Sequence, residues 1–341
     1  MKHTKIWQPL FVALTLSAAF TGCKKDEPEP VDNTFSGNGT FIICEGKFQS
    51  GNGSLDFYST LGDSLISNIF EKVNGVPIGD VFQSMLIVND RAYLAVNNSG
   101  KVEVANPSDL KSIGTISGIS SPRYVVFLSS SKAYVSDLYG NKVAIVNPST
   151  LTVTGQVPVK GNADEMLYKN NRLWITNQAG NYTYIAQNDV VVDSIDVGYG
   201  SSSIREDNSG NVWTLSYGNW DGTAQSKLSR INPTSLQVDW DYEFNNFGAT
   251  KLRTNGDKSL LYFLFDGKVY RKNANDNSNP SEFISLPGKS FYGINVNPTN
   301  GDIWLGEPAD YASPGTVFVF NSSGTKINEF VTGIVPTDFV F

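Results

Sequence analysis

Carboxylates, more than histidines or thiols, are the groups in this chain that could carry acid–base chemistry. The 341 residues contain one histidine, His3, and two cysteines, Cys23 and Cys44. His3 stands in an N-terminal segment with the marks of a removable export signal, so the mature chain holds no imidazole. That excludes Ser-His-Asp and Cys-His nucleophiles and any histidine zinc site. Cys44 reads as a small buried apolar residue in a strand. Asp164, Glu165 and Asp338 form the one acidic grouping that could serve metal-assisted hydrolysis. Neighbours along a strand point to opposite faces, so Asp164 and Glu165 are not expected to share a site. Asn219-Trp220-Asp221-Gly222-Thr223 has too few spaced oxygen ligands for a calcium loop, and no glycine loop has nucleotide-binding spacing. We therefore expect a non-enzyme: no catalytic residue, metal or cofactor is assigned.

Binding chemistry is better represented. Gly46 to Gly53, Tyr217 to Ser226 and Glu307 to Gly315 form long polar segments carrying Phe48, Tyr217, Trp220 and Tyr311, and shorter loops carry Tyr139 and Tyr182. Such rings could recognise a large, partly apolar molecule; alternatively they cap the cores beneath them. Gln83, Arg123, Asp164, Ser203, Lys251, Tyr292 and Thr337 recur at or near corresponding positions of an internal repeat. They are expected as a polar ring that orients a ligand by hydrogen bonds, or else as charges that neutralise one another around a channel. The expected ligand-binding residues are thus Phe48, Arg123, Tyr139, Asp164, Tyr182, Tyr217, Trp220, Lys251, Tyr292 and Tyr311.

The repeat fixes the elements that must hold these side chains. An apolar strand recurs as Phe41-Ile42-Ile43, Ala92-Tyr93-Leu94, Ala133-Tyr134-Val135, Leu173-Trp174-Ile175, Val212-Trp213-Thr214, Leu261-Tyr262-Phe263 and Ile303-Trp304-Leu305, at spacings of 39 to 51 residues. Each period has room for four strands separated by hairpin turns, and no window of similar strength has helical spacing. The first copy lacks the strand that should precede it, and the chain ends on an unpaired one, Pro336 to Phe341, which aligns with Pro122 to Phe127. The predicted fold is all-β: a seven-bladed β-propeller closed by the C-terminal strand as inner strand of blade 1. In that fold the blade-to-blade connections and the second-strand loops open on one face, which places the aromatic loops and the polar ring together.

The N-terminus predicts export. Lys2 and Lys5, the apolar stretch Leu10 to Phe20 and small residues before Cys23 form a secretory signal too short to span a bilayer. Phe20-Thr21-Gly22-Cys23 resembles a lipobox, which implies lipidation at Cys23. Lys24 to Pro30 is charged and proline-rich, as in a solvated tether, and its acidic run resembles the surface-export signal of Bacteroides-type lipoproteins. The expected organisation is a removed signal at 1–22, a lipidated tether at 23–38 and the propeller at 39–341. Lipid alone would hold such a chain on a membrane. Loss of the signal leaves 24 basic against 33 acidic residues, a balance that makes nucleic acid an unexpected partner.

Ala133-Tyr134-Val135-Ser136-Asp137 and Ile145-Val146-Asn147-Pro148-Ser149-Thr150-Leu151 resemble the YVTN type of propeller repeat over most of the mature chain. Tyr292 to Pro298, Asp310 to Thr316 and the closing strand resemble the last blade of Bacteroides-type surface lipoproteins that capture cobalamin for a TonB-dependent transporter. This resemblance implies an outer-membrane, surface-exposed lipoprotein that binds a corrinoid and partners such a transporter. The rival expectations are a structural or adhesive surface propeller and a metal-assisted hydrolase or lactonase.

Overall fold

The apolar triplets of the repeat lie in the second strands of their sheets, and they are continuous runs because both faces of each strand are covered. Arg172–Asn177 and Val212–Ser216 each bury every residue but at most the first, and Trp174 and Trp213 are fully enclosed. Strands covered on both faces lose the apolar–polar alternation of a half-exposed sheet. The cover is the next blade: Trp213, Leu215 and Leu228 of blade 5 pack with Leu252, Leu261 and Phe263 of blade 6.

The computed structural model describes Met1, Phe35 and residues 39–341; the expected signal, Cys23 and the tether apart from Phe35 lie outside the described residues. The compact unit Asn33–Phe341 contains seven four-stranded antiparallel sheets. Their inner strands are, in blade order, Pro336–Val340, Phe82–Val88, Pro122–Ser129, Ala163–Lys169, Ser201–Glu206, Thr250–Thr254 and Gly293–Val296. Each touches the next, and the seventh touches the first, so the chain is a seven-bladed β-propeller.

Closure is as expected: the C-terminal strand Pro336–Val340 is the inner strand of blade 1. Phe41, Ile42 and Ile43 pair with Val340, Phe339 and Asp338. Phe339 is fully buried against Trp304, with ring centroids 5.7 Å apart. The closing strand also lies tightly on blade 7, where a Cβ on Gly293 or Gly306 would collide with the Pro336 carbonyl. Those glycines are required by close backbone approach.

The recurrent Asn-Pro turns have a shared local cause. Asn106, Asn147 and Asn232 each accept, through Oδ1, the backbone N–H two residues on, at 3.0, 2.9 and 2.9 Å. This side-chain turn carries Leu110, Leu151 and Leu236 into the left-handed region at φ of 55° to 59°. Leu110 is fully buried there, so packing offsets the backbone cost.

Two features near blade 1 depart from the strand-only expectation. A short helix, Ile69–Asn74, lies in the connection to blade 2 and buries Ile69 and Phe70; six residues are too few to show helical periodicity. Phe35 packs edge-on to Phe57 at 5.2 Å and near Phe41 at 6.2 Å, and its N–H donates to the Ser108 carbonyl at 2.9 Å. Ser108 belongs to the turn after the third strand of blade 2, on the face opposite the second-strand loops.

Candidate functional site

The inner strands reach the channel mouth through bulges. Pairing with the second strand skips Gln83 in blade 2, Arg123 and Tyr124 in blade 3, Asp164 and Glu165 in blade 4, Ser202 in blade 5 and Lys251 and Leu252 in blade 6. A bulge turns an extra side chain out of the ladder and commonly lies next to binding sites. The skipped residue of blade 5 is Ser202, so the expected Ser203 is displaced by one position. Tyr292 stands just before its strand, Gly293–Val296.

In blade 4 the two skipped carboxylates turn to opposite neighbours, Asp164 to Arg123 of blade 3 and Glu165 to Arg205 of blade 5, in line with the separate sites expected for them. Both carboxylates come close enough to the Tyr124 hydroxyl to raise its pKa, after the larger effect of burial. They still serve different partners. Asp164 accepts from Arg123 Nε at 2.9 Å and from Gln178, while Arg123 also donates to Gln83. Burial would lower the Arg123 pKa, but Asp164 and its other neighbours raise it. Glu165 accepts from Arg205 Nη1 at 2.6 Å, Arg205 Nη2 at 3.2 Å and Arg253 Nη1 at 3.0 Å. Arg253 continues to Asp338 at 3.1 Å, which accepts from Asn295 at 3.2 Å. Burial alone would raise the Glu165 carboxyl; the two guanidiniums hold it below its ordinary range. This belt borders a 260 Å³ cavity whose other wall is Met85, Leu86, Val125, Val126 and Met166. Among the described residues no three His, Cys, Asp or Glu side chains are grouped to hold a metal.

At the mouth, Lys251 is almost fully buried, with φ at +61°. Its Nζ donates to Thr337 Oγ1 at 2.9 Å and lies 5.7 Å from the Tyr292 ring centroid. Burial pushes its pKa below the usual lysine range, against the opposing pull of Glu45 and Asp338. Tyr292 donates its hydroxyl to Glu45 at 3.2 Å and meets Tyr311 edge-on at 5.6 Å. Tyr217 packs against Phe247 at 6.0 Å and is near enough to raise the Tyr311 phenol, behind burial and Glu45. The structure thus gathers Arg123 and Asp164 at the channel, and Lys251, Tyr292, Tyr311 and Tyr217 toward one side of its mouth. Phe48, Tyr139, Tyr182 and Trp220 are 45% to 79% exposed on the same face and stand singly, without ring partners among the described residues. Tyr182 begins the third strand of blade 4, Tyr182–Gln187, where a loop position was expected.

Sequence reasoning missed Glu45, Phe247, Arg205 and Arg253. Arg253 could have been found two residues beyond Lys251, on the same inner strand, Thr250–Thr254. Glu45 directly follows the strand Gly39–Cys44 and matches Glu307 of the seventh repeat and Asp137 of the third, two residues past the apolar triplet, a recurrence that could have singled it out.

Structural comparison shows the fold. A quinonprotein alcohol dehydrogenase-like protein from Bacteroides thetaiotaomicron matches with TM-score 0.69 and 13% identity, over 90% of this chain and 79% of that one. A putative 6-phosphogluconolactonase from Bacteroides fragilis matches with TM-score 0.68 and 10% identity, over 92% and 99%. A streptogramin B lyase matches with TM-score 0.58 and 14% identity, over 73% and 82%. No curated protein matches the chain. The family model described as a domain of unknown function, DUF5074, matches residues 38–333, and the chain belongs to that family.

Proposed function

We propose that the upper face of this propeller captures a large, partly apolar ligand, a corrinoid such as cobalamin, and that the chain is a surface lipoprotein delivering it to a TonB-dependent transporter. The observation that carries this reading is the concentration of exposed aromatic side chains on one face, around a channel mouth whose charges are mostly paired and buried. Such a surface offers apolar stacking at the rim and oriented hydrogen bonds at the centre. The sequence resemblance supports the corrinoid and its transporter.

Calorimetry with cyanocobalamin on the mature chain carrying Cys23→Ala tests the reading. Sub-micromolar binding is expected. Tyr311→Ala should weaken it by about 2- to 12-fold, the equivalent of roughly 0.5 to 1.5 kcal/mol for one aromatic contact. The bound spectrum should keep the lower axial base, because the mature chain has no imidazole to replace it. No binding at millimolar ligand to protein with an intact melting transition would overturn the corrinoid.

A further inference from the structure

Two charged groups at the channel mouth stand apart from the ion-paired belt. Among the described residues, neither Lys251 nor Glu45 has an ion-pair partner within 4.0 Å, although Glu45 is the foremost opposite charge acting on Lys251. Tyr292 lies between them: its ring is 5.7 Å from Lys251 Nζ, and its hydroxyl donates to both Glu45 oxygens at 3.3 and 3.2 Å. An ammonium has three donors and a carboxylate about four acceptor positions. Thr337 takes one donor of Lys251 and Tyr292 serves one side of Glu45, so both groups can bond further. The Lys251 backbone holds a left-handed conformation that costs a non-glycine residue roughly 1 to 3 kcal/mol, and such strain clusters where a side chain must be aimed.

We propose that Lys251 and Glu45 form a donor–acceptor slot across the Tyr292 ring that takes a primary carboxamide of a ligand lying against Tyr292 and Tyr311. The amide oxygen accepts from Lys251 Nζ and the amide nitrogen donates to Glu45. A carboxylate in the slot would face Glu45, and an ammonium would face Lys251, each bringing like charges together in a partly buried place. A zwitterion would match both charges but would have to shed the water of two ions. A neutral amide meets both partners at the least desolvation cost. The slot rests on the reading that the upper face binds a ligand, and it names the chemistry of the ligand edge.

The test uses three probes that share one ring and differ at one edge: benzamide, benzoate and benzylammonium, titrated by calorimetry into the mature Cys23→Ala chain. Benzamide should bind at least about tenfold more tightly than either ion. Glu45→Gln should bring benzoate to within about twofold of benzamide, and Lys251→Met should do the same for benzylammonium. Glu45→Gln preserves size and an acceptor for Tyr292, so its arm decides alone where Lys251→Met melts below the parent. Equal affinities for the three probes, no binding of any, or an unchanged ranking in a folded Glu45→Gln protein would overturn the slot. Benzamide preference without cyanocobalamin binding would sink the corrinoid and leave the slot standing. Cyanocobalamin binding without benzamide preference would do the reverse.

Discussion

Phe339→Ala tests the closure of the ring at a single side chain. Phe339 is fully buried in a cluster with Ile42, Tyr58, Trp304, Val317 and Val319, drawn from blades 1 and 7. Truncation there removes the transfer free energy of a phenyl ring and leaves a cavity, together about 3 to 5 kcal/mol. Unfolding entropy of about 2.1 cal/mol/K per residue over about 300 residues gives roughly 0.6 kcal/mol per degree. The melting temperature should therefore fall by about 5 to 8 °C. Tyr139→Ala is the control: its ring is 67% exposed, and a surface change within about 0.5 kcal/mol moves the transition by less than about 1 °C. Deleting Asp338 to Phe341 removes three of the paired positions and the carboxylate partner of Arg253, so the cooperative transition should be lost or displaced much further. Differential scanning calorimetry reads all three proteins. A Phe339→Ala shift no larger than that of Tyr139→Ala would refute the view that the C-terminal strand seals the ring.

Glu165→Gln should cost about 3 to 5 kcal/mol at neutral pH, because it leaves buried Arg253 and partly exposed Arg205 short of their common counter-charge. The folded Glu165 carboxyl titrates below its unfolded value, so its stabilisation is complete above the unfolded pKa of about 4.3 and is lost as pH falls through the depressed value. Melting curves from pH 6 to 3 should fall less steeply in the variant; parallel curves would show that Glu165 is not the group being titrated. Cys23→Ala should release the protein from membranes without acylation, read by fractionation and mass measurement, and a variant that stays membrane-bound would remove the lipid anchor.

The repeat, the number of blades and the closing strand were legible because they depend on residues that recur at a fixed period and on strands such as Arg172–Asn177 that are apolar throughout. The unequal loops were legible too, since Asp266-Gly267 has the residues of a tight hairpin turn and both take positive φ. The bulges were not. An inserted residue has no composition of its own, and it shifts the two-residue period by one, which put Ser202 at the skipped position next to the expected Ser203. The pairing of Glu165 with Arg253, 88 residues away, depends on the ring being closed, and nothing in either neighbourhood announces it. Lys251 was visible as a charge on an inner strand, but its lack of an ion pair, with Glu45 across Tyr292, is a property of the assembled mouth.

The way the chain enters the propeller bears on mechanical load. Phe35 is fixed at the lower rim, and the strand that follows, Gly39–Cys44, runs upward between Ser54–Ser59 on one side and the closing strand on the other. A pull from the N-terminal side acts along that strand, at right angles to its hydrogen bonds. The bonds of both ladders must then slide together and cannot break in succession, so tension meets the ring at its seam in shear. The loop that carries Phe48 begins at the far end of the same strand.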